Sequence, residues 1–391
     1  MRKRIISSIL AATMVIACLT GCGKSSSDTQ NNANSEINTN TESKVEENVT
    51  TESKTRVIVD HAGNEVEIPA EINRIVFTSI TPLPSVYCLL EGSAEKIIGM
   101  SPSSMSSTKN SLLAQTITGI DDISTDFMTG GDINIEELIA MRPDVVFYRS
   151  ENADEYEKYK AAGIPAVAFS VSSWGSDSIA TFEAWVTLLG EVLDKDDRAK
   201  GIVEYGREVY DLVQTRIEEA GESLEKPRVL FLYKYGDGTI QTSGKNHFGQ
   251  YWADASGAIN VAEENDAAAL EVNMEQIYEW NPDKIFITNF VPYLTEDFTN
   301  NAIEGHDWSV VSAVQNEEVY KCPLGMYRWY APSSDTPLML LWLAKTNHPE
   351  LFEDINLEEK IKEYYMNFYQ VELTDENIEM IFNPTREAAG A

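Results

Sequence analysis

One phrase occurs twice in this chain, 139 residues apart, and it constrains the architecture more than any other feature. The first copy runs Asp132-Ile133-Asn134-Ile135-Glu136-Glu137-Leu138, then Met141-Arg142-Pro143-Asp144-Val145-Val146-Phe147. The second runs Glu271-Val272-Asn273-Met274-Glu275-Gln276-Ile277, then Trp280-Asn281-Pro282-Asp283-Lys284-Ile285-Phe286. Each copy predicts a short helix, a Pro-Asp turn and a buried strand. Asn134 and Asn273 stand as N-caps, with Glu137 and Gln276 three residues on to complete capping boxes. Pro143 and Pro282 stop the helix, and a β-rich run follows. Two copies of one αβ unit predict two similar lobes with a cleft between them.

The N-terminus reads as a targeting segment. Arg2, Lys3 and Arg4 precede an apolar stretch, Ile5 to Leu19, shorter than the roughly 20 residues that span a bilayer. It ends Leu19-Thr20-Gly21-Cys22, which resembles the lipobox of bacterial lipoproteins, so Cys22 is expected to carry lipid and tether the protein to a membrane. The following segment is rich in Ser, Asn, Thr, Glu and Lys and cannot bury a core, so it reads as a flexible stalk. The full chain carries a formal charge of −33, and loss of residues 1–21 removes three positive charges and no acids, which leaves −36. Such a balance argues against nucleic acid and against lying flat on anionic lipid. Cys88 and Cys322, one in each half, read as small buried apolar residues, not as a disulfide or metal site.

Along the body, Val57–Asp60 and Val66–Ile68 predict an N-terminal hairpin. Apolar runs at 74–77, 96–100, 145–148, 165–169, 228–233 and 285–287 predict strands that alternate with helices, a mostly parallel arrangement. Helical spacing of Ile202, Val203, Val209, Leu212, Val213 and Ile217 predicts a long helix over 198–220. The expected fold is therefore α/β, with two Rossmann-like lobes joined by one long connecting helix, a stiff link that permits only small hinge motion. The expected boundaries are a signal peptide at 1–21, a stalk at 22–55, an N-terminal lobe at 56–175, helices at 176–226 and a C-terminal lobe at 227–391.

Pro69-Ala70-Glu71-Ile72-Asn73-Arg74-Ile75-Val76 after the hairpin, the two repeat copies, and Trp308 to Val314 leading to Glu318-Val319-Tyr320 form a familiar succession. Leu341 to Lys345 with His348-Pro349-Glu350, and Tyr364-Tyr365 with Phe368-Tyr369, complete it. Residues 56–383 in this order resemble class III periplasmic-type substrate-binding proteins, the iron-complex, haem and cobalamin binders of ABC importers. The resemblance implies ligand held between two αβ lobes, and as partners an ABC permease and its ATPase. It also implies a surface glutamate on each lobe for docking. The expected positions hold Ser85-Val86 and Asp335-Thr336-Pro337, so Glu91 and Asp335 are the candidate substitutes.

Loops at the C-terminal ends of the strands should line the cleft. That rule selects Tyr148, Arg149 and Trp174 in the first lobe, and Tyr233, Tyr235, His247, Asn289, Phe290, Arg328, Trp329 and Tyr330 in the second. Arg149 and Arg328 offer planar forks that suit carboxylate or catecholate oxygens, or else pair with nearby acids. The aromatics suit a bulky ligand or ordinary packing. His247 can ligate haem iron or cap the helix it precedes. No metal cluster and no covalent cofactor are expected, since the four histidines are scattered. There is no Gly-x-Ser-x-Gly elbow, no His-Glu-x-x-His and no Walker A loop, so enzyme activity finds no support. The reading is a monomeric, lipid-anchored extracytoplasmic receptor for a metal chelate, foremost a ferric siderophore, with haem or a corrinoid second and a molybdate-type oxyanion third. A surface hydrolase and an adhesin-like lipoprotein are the readings from other classes.

Overall fold

A computed structural model describes residues 55–390 apart from position 237. The expected signal peptide, Cys22 and nearly all of the stalk lie outside the described residues. Among the described residues no helix is long and apolar enough to cross a membrane.

The first lobe is built on four parallel strands in the order Ile97–Met100, Ile75–Phe77, Val145–Arg149, Ala166–Phe169. Their unbroken apolar runs suit strands covered by helices on both faces. In the second lobe Ile259–Asn260, Arg228–Gly236, Lys284–Ile287 and Val319–Lys321 repeat that parallel order. Two strands the sequence reading missed, Thr239–Ser243 and Ala269–Val272, add antiparallel at one edge, the first as a hairpin with Arg228–Gly236.

The duplicated phrase owes its recurrence to one stitch made twice. The Asp144 carboxylate accepts from the backbone N–H of Asn73 (2.8 Å) and Arg74 (2.9 Å), and its own N–H donates to the Arg74 carbonyl (2.8 Å). Asp283 does the same to Arg228, with both bonds at 2.8 Å. Each Pro-Asp pair thus fixes the start of one central strand against the next. Arg142 and Asn281 end the two helices in the left-handed region, with φ of 50° and 43°. Asn134 and Asn273 cap them as expected. The expected return bond from Gln276 gives way to a bond from its Nε2 to Glu279 (3.2 Å).

The long helix Asp196–Ala220 joins the lobes as expected: Arg198 near its start donates to the Leu89 carbonyl (3.2 Å), Gln214 near its end donates to the Ala255 carbonyl (2.8 Å), and Ser178–Leu193 packs along it. Asp196–Ala220 spans about 37 Å at 1.5 Å per residue. The C-terminal helix Leu357–Tyr369 returns to the first lobe, where the Tyr369 hydroxyl donates to the Ser85 carbonyl (2.9 Å). Leu112 N–H donates to the Gly325 carbonyl (3.0 Å) across the same junction. One apolar core runs through both lobes, from Ile75 and Phe147 through Trp185 and Ile202 to Phe231, Phe286 and Leu341. The chain past Tyr369 forms further helices at Asp375–Phe382 and Arg386–Gly390.

Candidate functional site

In the first lobe the strand order reverses direction around Ile75–Phe77 and Val145–Arg149, and the loops after these two strands lie side by side there. Such a switch point is where open α/β sheets hold ligands. The Ser79 hydroxyl ties the loops together by accepting from Arg149 N–H (3.0 Å). Arg149 Nε pairs with Glu151 at 3.1 Å. The other Glu151 oxygen accepts from Ser172 Oγ (2.6 Å), Ser170 Oγ (3.0 Å), and the N–H groups of Val171 (3.0 Å) and Ser172 (2.9 Å). Burial alone would raise this carboxyl; these donors outweigh it and hold Glu151 down at about 2. Glu151 therefore orients Arg149 and anchors the Ser170–Trp174 turn together. The sequence reading missed it, although its position two residues after Arg149 was a signal.

The second lobe brings Tyr233, His247, Phe290, Arg328 and Tyr330 into one cluster. Tyr233 lies 4.5 Å from the His247 ring and 5.5 Å from Phe290. The Arg328 guanidinium sits over Phe290 at 4.6 Å. Burial raises the Tyr233 hydroxyl, and the positive charges of Arg149 and Arg328 oppose that rise, which sets one arginine from each lobe around the same tyrosine. Behind them, Tyr327 approaches Ser107 of the first lobe and Arg328. Tyr327 and Ser107 were not picked out individually in the sequence.

A bulge aims Tyr233. Gln241 pairs with Lys234 and Thr242 with Leu232, so Tyr233 is the extra residue of its strand. Alternation breaks there. Tyr235 consequently turns into the second-lobe core, where it accepts from Trp308 Nε1 (3.1 Å) and meets His306 Nδ1 at 2.5 Å.

Several expected site residues do other work. Tyr148 is 1% exposed in a small core beneath the first sheet, packed on Tyr156 and Tyr159. Trp329 is fully buried beside Phe382. Asn289 is fully buried, and its Nδ2 donates to the Cys322 carbonyl (2.8 Å). Trp174 is half-buried, edge-on to His61 at 4.9 Å. Tyr330 is buried too, but its hydroxyl reaches His247. His247 precedes helix Phe248–Ala255 without making a side-chain cap bond.

The docking candidates are corrected as well. Asp335 is fully buried, accepting from the Tyr365 hydroxyl (2.6 Å) and Tyr327 N–H (2.9 Å), so it meets no partner protein. Ser85 is equally enclosed. Glu91 is mostly buried and paired with Lys96 (3.0 Å) and Lys195 (2.6 Å), so its charge is compensated within the chain. Asp335 instead holds the loop that carries Arg328. Gly325 belongs to this knot, since a Cβ there would collide with the Tyr365 hydroxyl and the Trp329 indole nitrogen. A cavity of about 500 Å³, lined by Leu294, Lys321, Trp342 and Phe382 among others, lies apart from these residues.

Replacing Glu151 with alanine is expected to free the Ser170–Trp174 turn and lower stability by about 2 kcal/mol at neutral pH. In the wild type its contribution is present above the ordinary glutamate range and lost as pH falls toward 2, because the folded pKa is the lower one. Denaturant midpoints of both proteins at pH 7 and pH 3 check this; the gap should narrow at pH 3.

The periplasmic binding protein family model matches residues 75–324. A solved periplasmic solute-binding protein from Veillonella parvula is 30% identical, with a TM-score of 0.77, over 84% of this chain and 97% of that one. A molybdate-binding protein of Haemophilus influenzae is 25% identical over 82% of this chain and 93% of its own. An Fe(3+)-citrate-binding protein of Bacillus subtilis is 22% identical over 80% of this chain and 87% of its own. With two lobes of one topology and a shared site at their strand ends, the chain belongs to the periplasmic binding protein family, as a solute-binding protein of an ABC transporter.

Proposed function

We propose that the protein captures a compact anion, an oxyanion of the molybdate type, between Arg149 and Arg328 and delivers it to an ABC permease. The observation that carries this reading is Arg328. It is 7% exposed, stacked on Phe290, and among the described residues no carboxylate pairs with it. A buried cation without a counter-ion is costly, and an anionic ligand supplies the missing charge. The molybdate-binding relative favours the same chemistry. A ferric siderophore needs stacking surface, yet Tyr148, Tyr235 and Trp329 are enclosed in cores. The second reading is an anionic ferric carboxylate, favoured by the ferric-citrate relative and by the half-exposed Arg149 and Trp174 at the rim. Capture outside the cell on a lipid anchor at Cys22 completes the proposal.

The test is calorimetric titration with molybdate, tungstate, ferric citrate and haem. Saturable molybdate binding at about micromolar Kd or tighter is expected, weakened about tenfold by Arg149→Ala. Binding of ferric citrate alone would select the second reading, and silence from every anion would end both.

A further inference from the structure

His247, Tyr330 and Ser243 form a closed trio behind the cluster. His247 Nδ1 lies 2.8 Å from the Tyr330 hydroxyl and 2.9 Å from Ser243 Oγ, and these two hydroxyls meet each other. Tyr330 and Ser243 are both fully buried, so the trio satisfies itself without solvent. The direction of its protons follows from acidity and valence. The phenol is the stronger acid of the two hydroxyls, and the imidazole nitrogen is the strongest base present. If Tyr330 gives its proton to Nδ1 and Ser243 gives its own to the Tyr330 oxygen, every proton of the trio has an acceptor, whereas an Nδ1–H would leave one hydroxyl proton without one. Burial pulls His247 down to about 4, so the ring is neutral at physiological pH. A neutral ring whose Nδ1 accepts carries its proton on Nε2.

That nitrogen has no partner among the described residues, and its ring packs against Tyr233 at 4.5 Å, inside the cluster that holds Arg328 and Phe290. We infer that Tyr330 and Ser243 lock His247 in the Nε2–H tautomer, so that it offers the bound anion a neutral hydrogen-bond donor and withholds the lone pair a metal ion would need. The inference rests on the anion reading above and deepens it. A donor without charge adds an oxygen contact beside Arg328 without adding a second buried cation. It also sets selectivity: an oxyanion is accepted through its oxygens, while a bare divalent metal finds no imidazole ligand. His247 is thus the contact residue, and Tyr330 and Ser243 are positioning residues.

Glutamine reproduces a donor at the Nε2 position of histidine, whereas asparagine places its amide near Nδ1. His247→Gln is expected to keep molybdate affinity within about threefold, and His247→Asn and Tyr330→Phe to lose about tenfold, the worth of one hydrogen bond to a charged group. Long-range ¹H–¹⁵N spectra of the ligand-free wild type should show the Nε2–H pattern, and Tyr330→Phe should blur it into a tautomer mixture. Nickel ion alone should leave the His247 resonances unmoved. An Nδ1–H pattern, a nickel-induced shift at His247, or equal loss in His247→Gln and His247→Asn would overturn the inference while leaving the anion reading intact. Failure of the wild type to bind any oxyanion would overturn both. The spectra do not depend on ligand, so a failed tautomer lock is told apart from a failed anion reading.

Discussion

Replacing Arg328 with methionine should lower molybdate affinity about 100-fold, yet stabilise the ligand-free protein by about 1 kcal/mol. Function and stability separate here because the guanidinium is enclosed against Phe290 and Tyr327 with no carboxylate partner among the described residues. In the empty protein the charge has lost much of its water and gained only ring faces. Methionine keeps an apolar contact with Phe290 and removes the desolvated charge. Titration and thermal melting of the same two proteins, without and with molybdate, check both halves. The ligand-induced rise in melting temperature should vanish in the variant. If the variant melts lower without ligand, the arginine is a structural strut and the anion reading loses its main support.

The second large effect concerns Asp335 and runs with pH. Its carboxyl is fully buried between Tyr365 and the Tyr327 N–H, and burial pushes it up to about 6. The folded protein therefore holds this proton more tightly than the unfolded chain, whose aspartate titrates near 3.8. The associated stability is fully present below pH 4 and is lost as pH rises through 6, a change on the order of 3 kcal/mol. Asp335→Asn cannot ionise and lacks that slope. Denaturant midpoints at pH 4, 5, 6 and 7.5 should show the variant gaining on the wild type as pH rises. A constant gap would mean that the carboxyl does not titrate in this window. The loop bearing Arg328 hangs from this knot, so Asp335→Ala, which leaves the Tyr365 hydroxyl and the Tyr327 N–H unpaired, should cost anion affinity as well as stability.

The sequence made the αβ units legible because their signals are local. An apolar run, a Pro-Asp turn and an Asn cap each act within a few residues, and the helices at 135–141, 248–255 and 274–280 follow from them. The missed elements carry weak local signals. Strand Thr239–Ser243 is polar at alternate positions, and helix Ala153–Ala162 buries only Tyr159 fully. For the candidate site, the strand-end rule selected Arg149, Arg328, Tyr233 and His247, which the fold brings close to one another. It erred on Tyr235 because one bulged residue reverses which way a strand points, and register is set by a pairing partner far along the chain. The docking expectation for Asp335, drawn from the resemblance, failed because a carboxylate at a helix start looks exposed in sequence; only the return of Tyr364, Tyr365 and Tyr369 over it makes it internal.

The apolar core common to both lobes bears on how cargo leaves. Two bodies on a free hinge would drift apart thermally and release ligand on their own. Here Tyr369 holds Ser85, Leu112 holds Gly325, and helices Ser178–Leu193 and Asp196–Ala220 share the common core. Any parting of the cleft must flex those helices like a leaf spring and will be driven shut again. The two lobes then behave as a sprung clip, whose opening costs elastic energy in the core and helices they share.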